Sequence, residues 1–210
     1  MIFQNRRTAG QQLAKKLLGF KNDPKAIVLG LPRGGVITAH EIAKILNLPL
    51  DIIVTRKIGA PYSKELAIGA LSEDGRPILN HNLIQELNVS KDYLDREIEK
   101  ERREAKRRLE KYRHDKPKLN LKNKTVILVD DGIATGYTMF AAVDLAKIKE
   151  ASKIIIASPV IASDTLDTFK ALKIEVVYLD NPSFFSAIGQ FYENFEQTTD
   201  KEVEKIMLPK

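Results

Sequence analysis

The stretch that decides the fold runs from Thr125 to Thr138 and reads TVILVDDGIATGYT. Its first five residues are apolar or β-branched, which favours a short buried strand. The strand leads directly into two adjacent carboxylates, Asp130 and Asp131, and then into a turn of small and hydroxyl-bearing residues. A helical pattern begins at about Tyr137. The segment therefore predicts a strand, a turn and a helix, in the order that builds a parallel sheet.

Outward from this segment, the same pattern repeats along the chain. Further apolar, β-branched runs that end in turn residues predict buried strands at Ala26–Gly30, Leu50–Thr55, Lys153–Pro159 and Ile174–Leu179. Amphipathic patterns predict helices at Arg6–Leu18, Val36–Leu46, Tyr137–Lys149 and Ser163–Leu172. Strands that are hydrophobic throughout and alternate with helices indicate an α/β fold, with a Rossmann-like, mainly parallel sheet covered by helices on both faces. We expect residues 1–210 to form a single domain.

One region, residues 72–121, interrupts this alternation and is predicted to be an insertion. Leu66–Leu71 and Pro77–Leu79, separated by Asp74-Gly75, predict a hairpin. A long charged helix follows from about Ser90 to Arg113. Its thin apolar stripe consists of Leu94, Ile98, Ala105, Leu109 and Tyr112. We expect the helix to lie on the sheet or against a partner subunit, although a run this charged is usually a solvated face.

Composition limits the class of protein. Hydrophobic residues make up 43% of the chain, cysteine is absent and the net charge is +6. The polar start of the chain and the lack of an apolar run of roughly 18 residues give no sign of a secretory signal or a membrane span. We therefore expect a cytoplasmic protein with anionic partners and no membrane partner. His40, His81 and His114 lack the spacing of metal ligands, so no histidine is assigned a role.

The acid pair and the turn after it predict a ligand site. In an open parallel sheet, ligands bind beyond the carboxyl ends of the strands, where Asp130 and Asp131 lie. The turn is suited to hold a phosphate, because successive amides and the helix start attract an anion. Its residues are Ala134, Thr135, Gly136, Tyr137 and Thr138. Two alternatives, the second acidic motif of a P-loop ATPase and a dinucleotide-binding fold, each need a glycine motif that this sequence lacks. Two others, a phospho-acceptor site and a plain turn at the acid pair, do not explain the Ala-Thr-Gly-x-Thr segment that follows.

The same block resembles the signature of type I phosphoribosyltransferases, which bind 5-phosphoribosyl-1-pyrophosphate (PRPP). That signature has four apolar residues, two acidic, two variable and then Ala-Thr-Gly-x-Thr, and every position matches here. The chain is most similar to a group of bacterial and archaeal predicted phosphoribosyltransferases. The resemblance implies that Asp130 and Asp131 contact the ribose hydroxyls and that residues 134–138 bind the 5′-phosphate. It also implies a C-terminal hood over the acceptor, here at about residues 180–210, whose aromatic residues could stack on a planar base. The alternative is a C-terminal helix that caps the sheet with its aromatic face.

Two upstream segments supply positive charge to the same edge of the sheet. The glycine-rich turn after the first predicted strand contains Arg33, Gly34 and Gly35, and the second strand ends near Arg56 and Lys57. By the resemblance, the turn is the pyrophosphate loop, with a non-proline cis peptide, and a basic residue at the second strand end faces pyrophosphate. Lys57 is favoured over Arg56 for that contact, and an exposed basic pair is the alternative.

The resemblance implies a reaction as well as a site. The phosphoribosyl group of PRPP would pass to a small-molecule, nucleobase-like acceptor with release of pyrophosphate. Mg²⁺ would be carried by PRPP, with no direct protein ligand. Alanine at position 134, where many 6-oxopurine-specific relatives have an acidic residue, favours an adenine-like, pyrimidine or unusual acceptor. A homodimer is a further expectation. The rival hypothesis is a nucleotide-sensing regulator that binds RNA or DNA through the Arg-rich helix, but its interleaved carboxylates argue against a nucleic-acid partner.

Overall fold

A computed structural model describes residues 1–63, 66–113, 116–117 and 119–208. In chain order, the strands are β1 (Ala26–Gly30), β2 (Leu50–Ile52), β3 (Thr55–Gly59), β4 (Ala67–Ser72), β5 (Pro77–Leu79), β6 (Thr125–Val129), β7 (Lys153–Val160) and β8 (Glu175–Asp180). The helices are α1 (Arg6–Lys16), α2 (Gly34–Leu46), α3 (His81–Glu86), α4 (Lys91–Arg113), α5 (Tyr137–Ile148), α6 (Ser163–Ala171) and α7 (Asp200–Met207). Five strands form a parallel sheet in the order β2-β1-β6-β7-β8.

Helices cover both faces of this sheet, as predicted. Val126 and Leu128 of β6 pack with α5 and α6 on one face. Ile127 and Val129 alternate with them and pack with α1 and α2 on the other face. Strands buried on both sides need apolar residues at every position, which is why these segments read as continuous hydrophobic runs. The predicted α/β class is confirmed.

The predicted strand Leu50–Thr55 is wrong as a single element. β2 ends at Ile52, and β3 begins at Thr55 in a separate antiparallel sheet of order β3-β4-β5. Ile53 and Val54 between them are fully buried, so burial keeps the run apolar although the chain changes sheets. Hydrophobicity alone does not specify a strand's partner. The predicted hairpin is confirmed as the β4–β5 pair, with Gly75 at φ 84° in its turn. The other predicted strands, and the helices predicted between them, agree with the observed elements to within two residues at each end.

The long charged helix α4 packs against the antiparallel sheet and the C-terminal helix. Leu94 and Ile98 of its thin stripe join a cluster with Ile58 and Ile68. Further along the stripe, Ala105, Leu109 and Tyr112 contact a cluster that includes Val203 and Met207 of α7. The predicted contact with a sheet is therefore present, but the sheet is the separate antiparallel one and not the parallel sheet that the sequence predicts. His114, Asp115 and Lys118, which belong to the predicted insertion, lie outside the described residues.

The C-terminal region, residues 180–208 as described, crosses the end of the parallel sheet without forming one long helix. It contains a short 3-10 turn (Ile188–Phe191) and α7. Phe191 and Tyr192 are buried in a cluster with Phe3, so they are not available to stack on a base. Phe184 is exposed at the surface. Among the residues that the structure describes, no helix combines the length and apolar character that crossing a bilayer requires.

Candidate active site

The site begins where β1 and β6 end side by side. Gly30 pairs with Val129, and the amide of Leu31 donates to the carbonyl of Val129 at 2.9 Å. The turn after β1 and the acid pair after β6 therefore leave the sheet at the same edge. This juxtaposition is the one that the parallel arrangement of strands predicts.

The carboxyl groups of Asp130 and Asp131 lie at this edge, directly after the end of β6. The amide of Asp131 donates to Oδ1 of Asp130 at 2.9 Å, and the hydroxyl of Tyr192 donates to the carbonyl of Asp131 at 2.5 Å. Burial of the Asp130 carboxyl, reinforced by the charge of Asp131, raises the pKa of Asp130 well above its usual range. Burial likewise raises the pKa of the Tyr192 phenol. The two carboxyl groups thus disfavour each other's charged forms, and a ligand's hydroxyls or cations would stabilise the charged pair.

Arg6, at the start of α1, neutralises one member of the pair. Its Nε lies 2.5 Å from Oδ2 of Asp131, and both side chains are about nine-tenths buried. The guanidinium also donates from Nη1 to the carbonyl of Glu196 at 2.7 Å and lies 3.8 Å from the centroid of the Phe195 ring. The first helix and the C-terminal region therefore both hold Asp131 in place.

The connection from β1 into α2, called here the glycine turn, approaches the acid pair closely because the first two residues of α2 are glycines. An ideal Cβ on Gly34 would overlap Oδ2 of Asp131 and lie 2.7 Å from its Cγ. An ideal Cβ on Gly35 would lie 2.8 Å from Oδ1 of Asp130. The predicted non-proline cis peptide is present between Pro32 and Arg33. Any side chain at these glycines would separate the turn from the carboxylates.

The turn between β6 and α5 has the conformation that its sequence requires. Gly136, immediately before α5, adopts φ 75°, a region that glycine occupies readily. The hydroxyl of Thr165 donates to the carbonyl of Ala134 at 2.5 Å and fixes the turn from α6. Thr135 is exposed, and Tyr137 and Thr138 remain partly exposed. The five predicted phosphate-binding residues therefore form one turn at the start of a 12-residue helix, in which Gly136 is buried and the other four are at least partly exposed.

Four arginines line a cleft of about 400 Å³ next to the glycine turn. The described residues around it are Arg6, Arg33, Gly34, Arg56, Arg108, Phe195, Gln197 and Thr198. Arg56 reaches this cleft from β3, whereas Lys57 follows it on the strand and is not among those residues. Because neighbouring strand residues point to opposite faces, the structure favours Arg56 over Lys57 as the cation that faces this cleft. A pyrophosphate contact for either residue stays a prediction.

The arginine of the glycine turn is held by a carboxylate from α7. Nη1 of Arg33 lies 3.5 Å from Oδ1 of Asp200. Asp200 also accepts hydrogen bonds from Tyr112 at 2.5 Å and from Arg107 and Lys111 at 3.2 Å each. These donors lower the pKa of Asp200, and burial together with this bond raises the pKa of Tyr112 to about 12. Asp200 therefore connects α4, α7 and the turn after β1.

Sequence reasoning misses several residues of this site. No local pattern assigns a role to Arg6, to Arg108 or to Phe195. Arg6 and Asp131 are 125 positions apart, so nothing in either segment connects them.

The described part of the chain shows no group of three or more His, Cys, Asp or Glu side chains placed to hold a metal ion.

The fold and the arrangement of its strand ends are those of the type I phosphoribosyltransferase class. The family model for the phosphoribosyl transferase domain matches residues 2–196. A Mycobacterium tuberculosis (strain H37Rv) protein named "Putative phosphoribosyl transferase Rv0571c" is 41% identical over 202 residues, which cover 96% of this chain and 45% of that protein. The chain belongs to the phosphoribosyl transferase domain family, and it spans about half the length of the curated relatives that it matches.

Solved structures have a similar fold. The crystal structure of TT1426 from Thermus thermophilus has a TM-score of 0.80 and 39% identity, and the match covers 99% of this chain and 98% of that one. The AQ2163 protein from Aquifex aeolicus has a TM-score of 0.51 and 12% identity, with 83% of this chain and 73% of that chain covered. The second likeness shows the fold alone.

Proposed function

We propose that this protein transfers the 5-phosphoribosyl group of PRPP to a nucleobase-like acceptor and releases pyrophosphate. The observation that carries the proposal is the contact between the glycine turn and the acid pair, with the phosphate-type turn following on the same strand. PRPP carries a phosphate at C5 and a pyrophosphate at C1 of the same ribose. The site offers an anion-binding turn on one side of the carboxylates and an arginine-lined cleft on the other.

In the proposed reaction, the bond between C1 of ribose and the pyrophosphate oxygen breaks as a bond from an acceptor nitrogen to C1 forms. The electron pair of the broken bond leaves with pyrophosphate, and the acceptor nitrogen loses its proton to solvent. Asp130 and Asp131 would accept hydrogen bonds from the ribose hydroxyls and favour positive charge on the ring in the transition state. For this contact, Asp131 exchanges part of its interaction with Arg6 for the ribose.

The leaving pyrophosphate would be stabilised by cations. Arg33 and Arg56 line the cleft beside Gly34, and both are oriented by carboxylates, Asp200 and Glu101. Such preorganised charges are worth more than mobile ones, because they need no reorganisation when the bond breaks. Mg²⁺ carried by the oxygens of PRPP would supply further positive charge. The proposal assigns the metal no direct side-chain ligand, and it includes a homodimer and a cytoplasmic location as predictions.

The deciding experiment measures pyrophosphate release from PRPP and Mg²⁺ across a panel of nucleobases. The double variant Asp130→Asn, Asp131→Asn should lose at least about 10²-fold in turnover, because the ribose loses its charged acceptors. Asp167→Asn is the matched control, since Asp167 lies on α6 with a largely exposed side chain. Undiminished activity of the double variant would remove Asp130 and Asp131 from the mechanism. A wild-type protein that binds no PRPP would end the proposal.

The rival hypothesis of a regulator that binds RNA or DNA gains no support from α4. Two arginines of the pair-rich segment share one carboxylate: Glu104 accepts from Arg107 at 2.7 Å and from Arg108 at 2.8 Å, which reduces the positive charge that this helix presents. These contacts lower the pKa of Glu104 to about 2, so it stays charged at neutral pH. Binding of bulk RNA that weakens with salt would favour the rival.

A further inference from the structure

The insertion helix α4 brings one nearly buried guanidinium into the cleft beside the glycine turn. The side chain of Arg108 is only 11% exposed. Its Nε donates to Oε1 of Glu104 at 2.8 Å, and no other hydrogen bond of this guanidinium is formed with the residues that the structure describes. A guanidinium has five donor hydrogens, so most of the hydrogen-bonding capacity of Arg108 is left for something in the cleft.

The surroundings of Arg108 indicate what that ligand is. The cleft is lined by Arg33 and Gly34, which follow β1, and by Arg56 of β3 and Arg108 of α4. None of the described residues that line it is acidic. Each guanidinium pairs with one carboxylate that is not among the lining residues (Asp131, Asp200, Glu101 or Glu104), and four cations facing one cleft still attract an anion into it. Planar guanidinium groups match the oxygens of a phosphate in a two-pronged contact.

We infer that Arg108 is a pyrophosphate-binding residue, supplied by the inserted helix and facing Arg33 across the cleft. The inference rests on the proposed function only in identifying that pyrophosphate as part of PRPP. Glu104 orients Arg108 through Nε and leaves its two terminal nitrogens to bind phosphate oxygens. The α4 insertion thereby has a role in substrate binding in addition to covering the antiparallel sheet.

The alternative is that Arg108 only anchors α4, through Glu104 and the packing of its aliphatic stem. Arg108→Met separates the two roles, because methionine retains much of the stem and removes the charge. A merely structural role would change thermal stability without changing affinity for one ligand selectively. Arg102→Met is the matched control: Arg102 is on the same helix, pairs with Glu99 at 2.6 Å, and is not among the residues that line the cleft.

The experiment measures, by titration calorimetry with Mg²⁺, the affinities of each variant for inorganic pyrophosphate, PRPP and ribose 5-phosphate. In Arg108→Met, affinity for pyrophosphate and PRPP should fall by about tenfold or more, as expected for a lost charge-assisted contact. Affinity for ribose 5-phosphate, which lacks pyrophosphate, should be unchanged. Arg108→Lys keeps the charge but loses the two-pronged geometry, so it should bind pyrophosphate more weakly than the wild type.

Each outcome decides a different statement. Wild-type affinity for pyrophosphate in Arg108→Met overturns the inference, as does an equal loss for all three ligands. If Arg108→Met does not fold, wild-type pyrophosphate affinity in Arg108→Lys overturns it. A wild-type protein that binds pyrophosphate but neither PRPP nor ribose 5-phosphate would contradict the proposed function and leave Arg108 testable with pyrophosphate alone.

Discussion

The contact between Gly34 and Asp131 gives the sharpest test of how the site is built. In Gly34→Ala, the new Cβ would overlap Oδ2 of Asp131 and lie 2.7 Å from its Cγ and 2.9 Å from Nε of Arg6. Ordinary contacts between carbon atoms are at about 3.5 Å or more, so the carboxyl or the turn must move by at least about 0.8 Å to clear Cγ, and further to clear Oδ2. Rotation of the Asp131 carboxyl away from the new methyl group would break its contact with Nε of Arg6. Misplacement of a catalytic group by about 1 Å can cost about 10²-fold in rate.

The assay is pyrophosphate release at saturating PRPP, with PRPP affinity measured separately. We expect Gly34→Ala to lose about 10²-fold in turnover and to be destabilised by about 1–3 kcal/mol, the usual cost of overpacking. Gly19→Ala is the control, because nothing lies within 4 Å of an ideal Cβ at that position. If Gly34→Ala turns over like Gly19→Ala, the turn does not need to touch the acid pair, and the geometric basis of the proposed function is wrong.

Three further predictions concern the groups around the cleft. Asp200→Ala should lower the free energy of unfolding by about 2 kcal/mol in denaturant titration, because Tyr112 and its neighbouring cations lose their shared acceptor; wild-type stability would contradict this. Asp130→Asn should be more stable than the wild type at neutral pH. Because the pKa of Asp130 is raised in the folded protein, its contribution to stability is fully present below the ordinary pKa of Asp and is lost as pH rises through the raised pKa. The difference in stability between Asp130→Asn and the wild type should therefore vanish in acid. A difference that does not change with pH would refute this prediction. Tyr192→Phe should cost about 1 kcal/mol in thermal unfolding and weaken PRPP binding, because the carbonyl of Asp131 loses its donor; unchanged values for both would argue against that bond.

The part of the site that could be predicted from sequence is the part built by local chain geometry. The strand, acid pair and phosphate-type turn occupy one continuous stretch, Thr125–Thr138, so each residue's position follows from its neighbours. Gly34 and Gly35 are predictable for the same reason, since a glycine-rich turn between a strand and a helix has few conformations. The meeting of these two segments also follows, because adjacent parallel strands end at one edge.

The contacts that sequence could not predict join elements that are far apart in the chain. Arg6 reaches Asp131 because α1 packs on the sheet beside α2, and Phe195 reaches Arg6 because the C-terminal region folds back over the first helix. The choice between Arg56 and Lys57 depends on which face of β3 points to the cleft. That face is set by the pairing of β3 with β4. The continuous apolar run Leu50–Thr55 predicts one strand of the parallel sheet and so gives no sign of this pairing.

The charged helix α4 shows why charge patterns in a sequence are ambiguous. A helix with charges at every turn is typical of a solvated face, yet Glu97, Glu101 and Arg113 are buried. A buried charge requires a partner, and two of these partners come from strands: Arg56 of β3 pairs with Glu101, and Asp51 of β2 pairs with Arg113. Those partners fix how α4 lies against a strand of each sheet, and Arg108 of this helix lines the cleft. Buried ion pairs that contribute little net stability can therefore still decide which cation a helix presents to a substrate.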